Sequence, residues 1–225
     1  MIFKQIRDTA FVLDYAGTRF LVNPVLGALE PSVSLGTLLD VDAVIATDLS
    51  GSCFDEAARQ LIPRGMKIFV QGEKDAEKLS GCGFSNIEIL TENGRFQYLD
   101  IRRTPAFYSR KGQAELNPAS CGVMIMHPVL NSTFIIGNSV WHEGIKETIQ
   151  RYKPRLIIVN AGNGQLLDDS KKTMNQDEIA AVHLTMPKAR IIAAGEKGLE
   201  ADKLDDFVRD HRMEKSVIIP EEGKE

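Results

Sequence analysis

Histidine is scarce in this chain, with four in 225 residues, and none lies in the polar loop of "VIATDLSGSCFDEAARQ" at residues 44 to 60, where a buried strand runs through a loop into a helix. His127, His142, His183 and His211 form no H-E-x-x-H and no pair at ligand spacing, so the common histidine zinc motifs are excluded. Cysteine is scarcer. Cys53, Cys82 and Cys121 are odd in number, widely spaced and without a C-x-x-C pair, which excludes a disulfide framework or a cysteine-rich zinc site. No apolar run approaches the roughly 20 residues that span a bilayer, and the opening "MIFKQIRDTAF" lacks the charged-then-apolar layout of a secretory signal. The expectation is a cytoplasmic protein with reduced thiols and no membrane partner. The formal charge of −4 gives no general attraction for phosphate backbones, and the basic stretches "RYKPR" and "IRRTPAFYSRKG" read as solvated faces. No nucleic acid partner is expected.

What the chain does contain is core material, 43% hydrophobic residues, enough for one large domain or two closely packed halves. "MIFKQI", "AFVLDY" and "TRFLVN" read as strands, the last two joined through Ala16-Gly17 as a hairpin. The loop-like "PVLGALEPSVSLGTLLDVD" leads to the apolar strand "AVIAT" and the helix "FDEAARQLI". "MKIFV" and "EKDAEKLSGCG" repeat the strand-helix step, with Gly81 or Gly83 placed to end the helix. "IEIL" and "RFQYLDI" follow as strands, then the polar segment "SRKGQAELNPAS". The pattern then begins again with the hairpin "GVMIMH" and "STFIIGN", the helix "HEGIKETIQRY" and the strand "RLIIVNA". Asn175 with Glu178 makes a variant capping box before a last strand, "ARIIAA", and a polar-faced helix, "EADKLDDFVRDH". We therefore expect a single domain over 1–225 with pseudo-repeat halves of approximately 1–115 and 116–225, and two sheets with helices outside both.

This order of elements resembles the metallo-β-lactamase fold superfamily, in particular its compact branch of metal-dependent hydrolases. The resemblance rests on "RFLVNPVLG", where relatives have aspartate before the proline; on "ATDLSGSCFD", where they have T-H-x-H-x-D-H-x-D; on "FIIGNSVWHEGI", where they have G-D-T; and on "RLIIVNAGNGQ" followed by "TMNQDEIAAVHLTMPKARIIAA". It implies an α/β (α+β) four-layer αββα sandwich, two mixed sheets face to face, with a zinc site at one rim of the sheets. The residues that stand at the family's ligand positions are different. Its first two histidines fall on Asp48 and Ser50, its aspartate on Ser52 and its third histidine on Cys53. The next histidine falls at about Tyr108, the bridging aspartate on Asn138 and the last histidine near Gly195. Asn23 replaces the aspartate that supports the metal shell from outside it.

Without a dication, buried carboxylates repel one another and resist desolvation, so amides and hydroxyls are the stable replacements. The expectation is thus a protein that has lost the family's metal-dependent hydrolysis, has no metal or other cofactor, and keeps a polar pocket for a small ligand or acts through its surface. Asp48, Cys53 and His142 are the donors left for an unconventional metal set. Cys53 is also a candidate nucleophile if it begins a helix, although Asp55 and Glu56 oppose a lowered thiol pKa. Either would make the alternative, an active hydrolase of phosphoester, lactone or amide bonds. "LSGSC" lacks the G-x-S-x-G elbow, and "NAGNGQ" departs from G-x-G-x-x-G and reads as a rim loop. Self-association into a homo-oligomer, with the apolar "PVLGALEPSVSLG" as contact, is a further expectation.

Overall fold

A computed structural model of the protein describes residues 1–27, 35–51, 53–110, 112–162, 170–195 and 199–221. The chain divides into two compact units, Met1–Leu90 with the end from Pro220, and Thr91–Ile219. Each carries a mixed sheet with helices.

In the first unit β1 (Ile2–Arg7), β2 (Ala10–Tyr15) and β3 (Thr18–Val22) form an antiparallel meander. The second turn is two residues long, Ala16 (φ 57°) and Gly17 (φ 80°), both in the left-handed region that matches the twist of a hairpin. From β3 the sheet changes to parallel pairing, continuing through β4 (Ala43–Ala46), β5 (Ile68–Val70) and β6 (Ile87–Ile89). Every residue of β4 and β5 is buried, which is why these strands are unbroken apolar runs rather than alternating ones. Parallel neighbours need crossovers, and α1 (Leu35–Leu39), α2 (Glu56–Leu61) and α3 (Glu73–Gly81) lie on them. The Asp55 carboxylate caps α2 by accepting the Ala58 N–H, and Gly83, at φ 89°, turns the chain after α3. Val12, Leu21, Val44, Phe54, Ile68, Leu79 and Phe84 pack as one core; each such side chain contributes about 1.5–3 kcal/mol when fully buried. One-turn α1 lies where only a loop was expected.

The second unit repeats the plan. β7 (Arg95–Phe96), β8 (Leu99–Thr104), β11 (Gly122–Met126) and β12 (Thr133–Ile135) pair antiparallel, while β12, β13 (Leu156–Ala161), β15 (Arg190–Gly195) and β16 (Val217–Ile218) pair parallel. "RFQYLDI" is two strands rather than one, because Gln97 takes a left-handed φ of 53° between them. The polar segment after β8 is also ordered: β9 (Phe107–Arg110) and β10 (Gln113–Leu116) form a hairpin, joined at β9 by β14 (Ser170–Lys171). α4 (Glu143–Tyr152), α5 (Gln176–Thr185) and α6 (Leu199–Asp210) complete the unit, and α5 has the full Asn175/Glu178 capping box. Among the described residues no helix is long and apolar enough to cross a membrane.

Parallel pairing has one consequence for the site. It ends β3, β4 and β5 on the same side in the first unit, and β12, β13 and β15 on the same side in the second; such carboxyl ends are where α/β sheets gather ligand-binding groups.

Candidate functional site

At the strand ends of the first unit, Asn23 follows β3 with a left-handed φ of 48° that asparagine tolerates better than most residues. Its Oδ1 accepts both the backbone N–H and the hydroxyl of Thr47, each at 2.9 Å. The Thr47 N–H can only donate, so the orientation of the amide is determined, and the buried Asn23 Nδ2 has no hydrogen-bond partner among the described residues. Asp48 follows Thr47. Its Oδ1 accepts the Ser50 N–H at 2.7 Å and the Ser50 hydroxyl, an Asx turn that presents the exposed Ser50 above a nearly buried carboxylate. Ser52 lies outside the described residues.

Cys53 is completely buried, with Sγ 3.7 Å from the Thr9 hydroxyl. Burial, and then the Asp48 charge, push its thiol far above the ordinary range, against weaker hydrogen bonding from Thr9, Ser50 and Thr47. It does not begin a helix either: α2 starts at Glu56, and its amino end is filled by Asp55, which accepts the N–H groups of Ala58 and Gly27. Burial and a place ahead of α2 rather than in its first turn leave this thiol without the activation that a helix amino end supplies. In the native protein a disulfide reagent at pH 8 should titrate the exposed Cys82 rapidly and leave Cys53 and Cys121 unreacted until denaturant is added. Rapid native labelling of Cys53, read by peptide mass, would contradict this.

One residue of this edge was not singled out from sequence. Asp75, in the first turn of α3 and 9% exposed, has its carboxyl raised by burial; the Gln71 side chain lowers it, Asp48 raises it and Lys78 lowers it. Its Oδ2 has no partner among the described residues.

In the second unit Asn138, just after β12, is buried, and its Oδ1 accepts the Asn160 Nδ2–H at 2.8 Å. Asn160 interrupts the apolar run "LIIVNA", the one sequence signal that marked it. The neighbouring Ser139 hydroxyl accepts the Phe107 N–H at 2.9 Å. Gly195 ends β15 opposite Ala161, and a Cβ placed there would lie 2.0 Å from the Ala161 carbonyl oxygen. Tyr108 lies on the β9–β10 hairpin and donates its hydroxyl to Glu115 at 2.8 Å. The His142 ring stacks on Phe107 with centroids 3.8 Å apart, and its Nδ1 accepts the Gly144 N–H at 3.0 Å, capping α4. Residues 163 to 165 of "NAGNGQ" and 28 to 34 of the apolar loop lie outside the described residues.

These donors do not fit the family's zinc set. Asn138 offers an amide oxygen already used by Asn160, Gly195 has no room for any side chain, Ser50 is a hydroxyl bonded to Asp48, and the Cys53 thiol is completely buried beside Thr9. Among the described residues no group of three or more His, Cys, Asp or Glu could hold a metal ion.

Comparison with known proteins gives kinship along the whole chain. No family model matches. The UPF0173 protein YddR of Bacillus subtilis (strain 168) is 31% identical, over 100% of this chain and 98% of its own. Among solved structures, an isothiocyanate hydrolase from Delia radicum gut bacteria is 28% identical with a TM-score of 0.88, over 100% of this chain and 98% of that one. A possible metal-dependent hydrolase from Veillonella parvula DSM 2008 is 24% identical with a TM-score of 0.90, over 99% and 97%. The metallo-β-lactamase fold protein YhfI from Bacillus subtilis is 10% identical with a TM-score of 0.62, over 91% and 85%.

Proposed function

Because this chain belongs to the UPF0173 family and has the metallo-β-lactamase fold, we propose that it is a hydrolase of small electrophilic molecules whose water-activating group is Asp48 rather than the inherited histidine set. The observation that carries this reading is the Asp48 carboxylate itself. It stands at the end of a buried parallel strand, where it is steadied by the Ser50 N–H and hydroxyl. A carboxylate held in this way can take a proton from water as the water attacks an electrophilic carbon or phosphorus, and general-base assistance of that kind is worth about 10²- to 10⁴-fold in rate. Similarity to the isothiocyanate hydrolase supports a heterocumulene as the first substrate to try, ahead of phosphoesters, lactones and amides.

A second reading, binding of a small polar ligand without turnover, is favoured by one observation: the Asn138–Asn160 amide pair has replaced charge at the second unit's strand ends with a neutral, satisfied contact. Turnover assays on wild type and Asp48→Asn separate the two. Hydrolysis of an isothiocyanate or an ester, lowered about 100-fold or more in the variant, is expected. Equal rates in both proteins would remove Asp48 from the chemistry, and no turnover together with ligand-induced thermal stabilisation would leave the binding reading in place.

A further inference from the structure

We propose that the amino-end edge of the second unit's sheet docks on an anionic lipid bilayer, through a basic rim beside a projecting apolar turn. Parallel pairing, Thr133 opposite Leu156 and Leu156 opposite Arg190, brings the starts of β12, β13 and β15 to one edge, at the other end of these strands from Asn138 and Gly195. Lys153 and Arg155 precede β13, Lys188 precedes β15 and Arg190 begins it. All four are exposed, and none has an ion-pair partner among the described residues. The Arg155 N–H donates to the Ser132 carbonyl at 3.0 Å, and the Arg155 carbonyl accepts the Arg190 N–H at 2.8 Å, so these backbones and the β11–β12 turn are fixed side by side. The acids near this edge are matched by cations: Asp100 holds Arg95 and Arg102, and Asp210 and Glu214 are interspersed with Arg212 and Lys215 before β16. In a chain of formal charge −4 this is a local reversal of sign.

The turn supplies what charge alone lacks. Val129 is 85% exposed and Leu130 52%, and Leu184, in the last turn of α5 before Lys188, is 76% exposed. His127 Nδ1 accepts the N–H groups of both Val129 and Leu130 at 3.1 Å, and the Tyr98 ring meets the His127 ring edge-on at 5.7 Å. The aliphatic pair is thus presented by a turn that is already formed, which cuts the ordering cost of binding. Half-exposed Tyr98 beside it carries the amphipathic ring that settles at headgroup level. Nucleic acid phosphates would use the cations but gain little from two projecting aliphatic side chains. A bilayer uses both, and a basic patch with an apolar anchor is the two-signal combination that holds a peripheral protein. This replaces the expectation of no membrane partner with a peripheral contact that needs no spanning helix.

Co-sedimentation with vesicles tests it, comparing phosphatidylcholine alone with phosphatidylcholine containing about 30% phosphatidylglycerol, at about 0.1 M salt. Wild type is expected to sediment with the anionic vesicles and not with the neutral ones. Arg155→Glu with Arg190→Glu should weaken that binding by about tenfold or more, and Val129→Ser with Leu130→Ser by about tenfold. No sedimentation with the anionic vesicles, or binding unchanged in either double variant, overturns the proposal. So does binding to duplex DNA that matches the lipid binding and survives Val129→Ser with Leu130→Ser, because the cations would then be serving phosphates alone. Should a variant fail to fold, wild type decides through the contrast between the two vesicle compositions, and equal sedimentation with both counts against the basic rim. None of these readouts needs a substrate, so failure here and failure of hydrolysis are separate results.

Discussion

Gly195→Ala should lower stability by about 3 kcal/mol, at the upper end of what overpacking normally costs. The added Cβ would meet the Ala161 carbonyl oxygen at 2.0 Å, its carbon at 2.9 Å and its nitrogen at 3.2 Å. These are backbone atoms of a parallel neighbour in full register, Ala161 opposite Gly195, and they cannot rotate away as a side-chain tip would. The natural control is Gly65→Ala, where nothing lies within 4 Å of the new Cβ and the effect should stay within about 0.5 kcal/mol. Urea midpoints for the two variants give the comparison, and equal midpoints would show that β13 and β15 part more easily than their pairing indicates. The same contact stands against any larger side chain at this position: the obstacle is the neighbouring strand.

The second large effect is alkaline. Cys53 has its thiol pushed far up by burial and by Asp48, whereas in the unfolded chain it ionises near pH 8.5. Between those two values the unfolded state releases a proton that the folded state keeps, so stability falls as pH rises. The contribution is complete below the unfolded pKa and shrinks above it by about 1.4 kcal/mol per pH unit. From pH 9 to pH 10.5 the loss through this one thiol is about 2 kcal/mol. Cys53→Ala pays a constant cavity cost but removes the slope. Denaturation midpoints of the two proteins should therefore converge with rising pH, and parallel curves would mean that the buried thiol ionises as readily as a free one.

How far the sequence could be read depends on whether the determining interaction is local. "AVIA" and "LIIVNA" announce buried parallel strands because burial throughout requires apolar residues at every position. Asn175 and Glu178 announce the start of α5 because both halves of the capping box lie within one turn. β10 could not be seen, since all four of its residues are exposed and no alternation marks it. The break at Gln97 depends on a backbone angle that the side chain does not advertise.

At the candidate site the same division holds. Asp48, Ser50, Asn138 and Gly195 are legible as residue types, and it is the family resemblance that sets them against ligand positions. Asp75 was not visible: in "EKDAEKLSG" it is one acid among several charges on an apparently solvated helix, and only packing buries it. Cys53 was misplaced by one turn's worth of chain because Asp55, a better cap, takes the amino end of α2. Nor does any local pattern indicate that the Ala161 carbonyl occupies the space beside Gly195.

Asn23 also has a bearing on how the protein ages. Asparagine becomes aspartate when the nitrogen of the following residue attacks its side-chain carbonyl, and here the following residue is Pro24, which has no N–H to supply that attack. The exposed Asn93, followed by Gly94, has no such protection. Long storage should therefore add negative charge at the β6–β7 connection while Asn23 remains an amide, so the hydrogen bonds that tie β3 to Thr47 are kept over the life of the molecule.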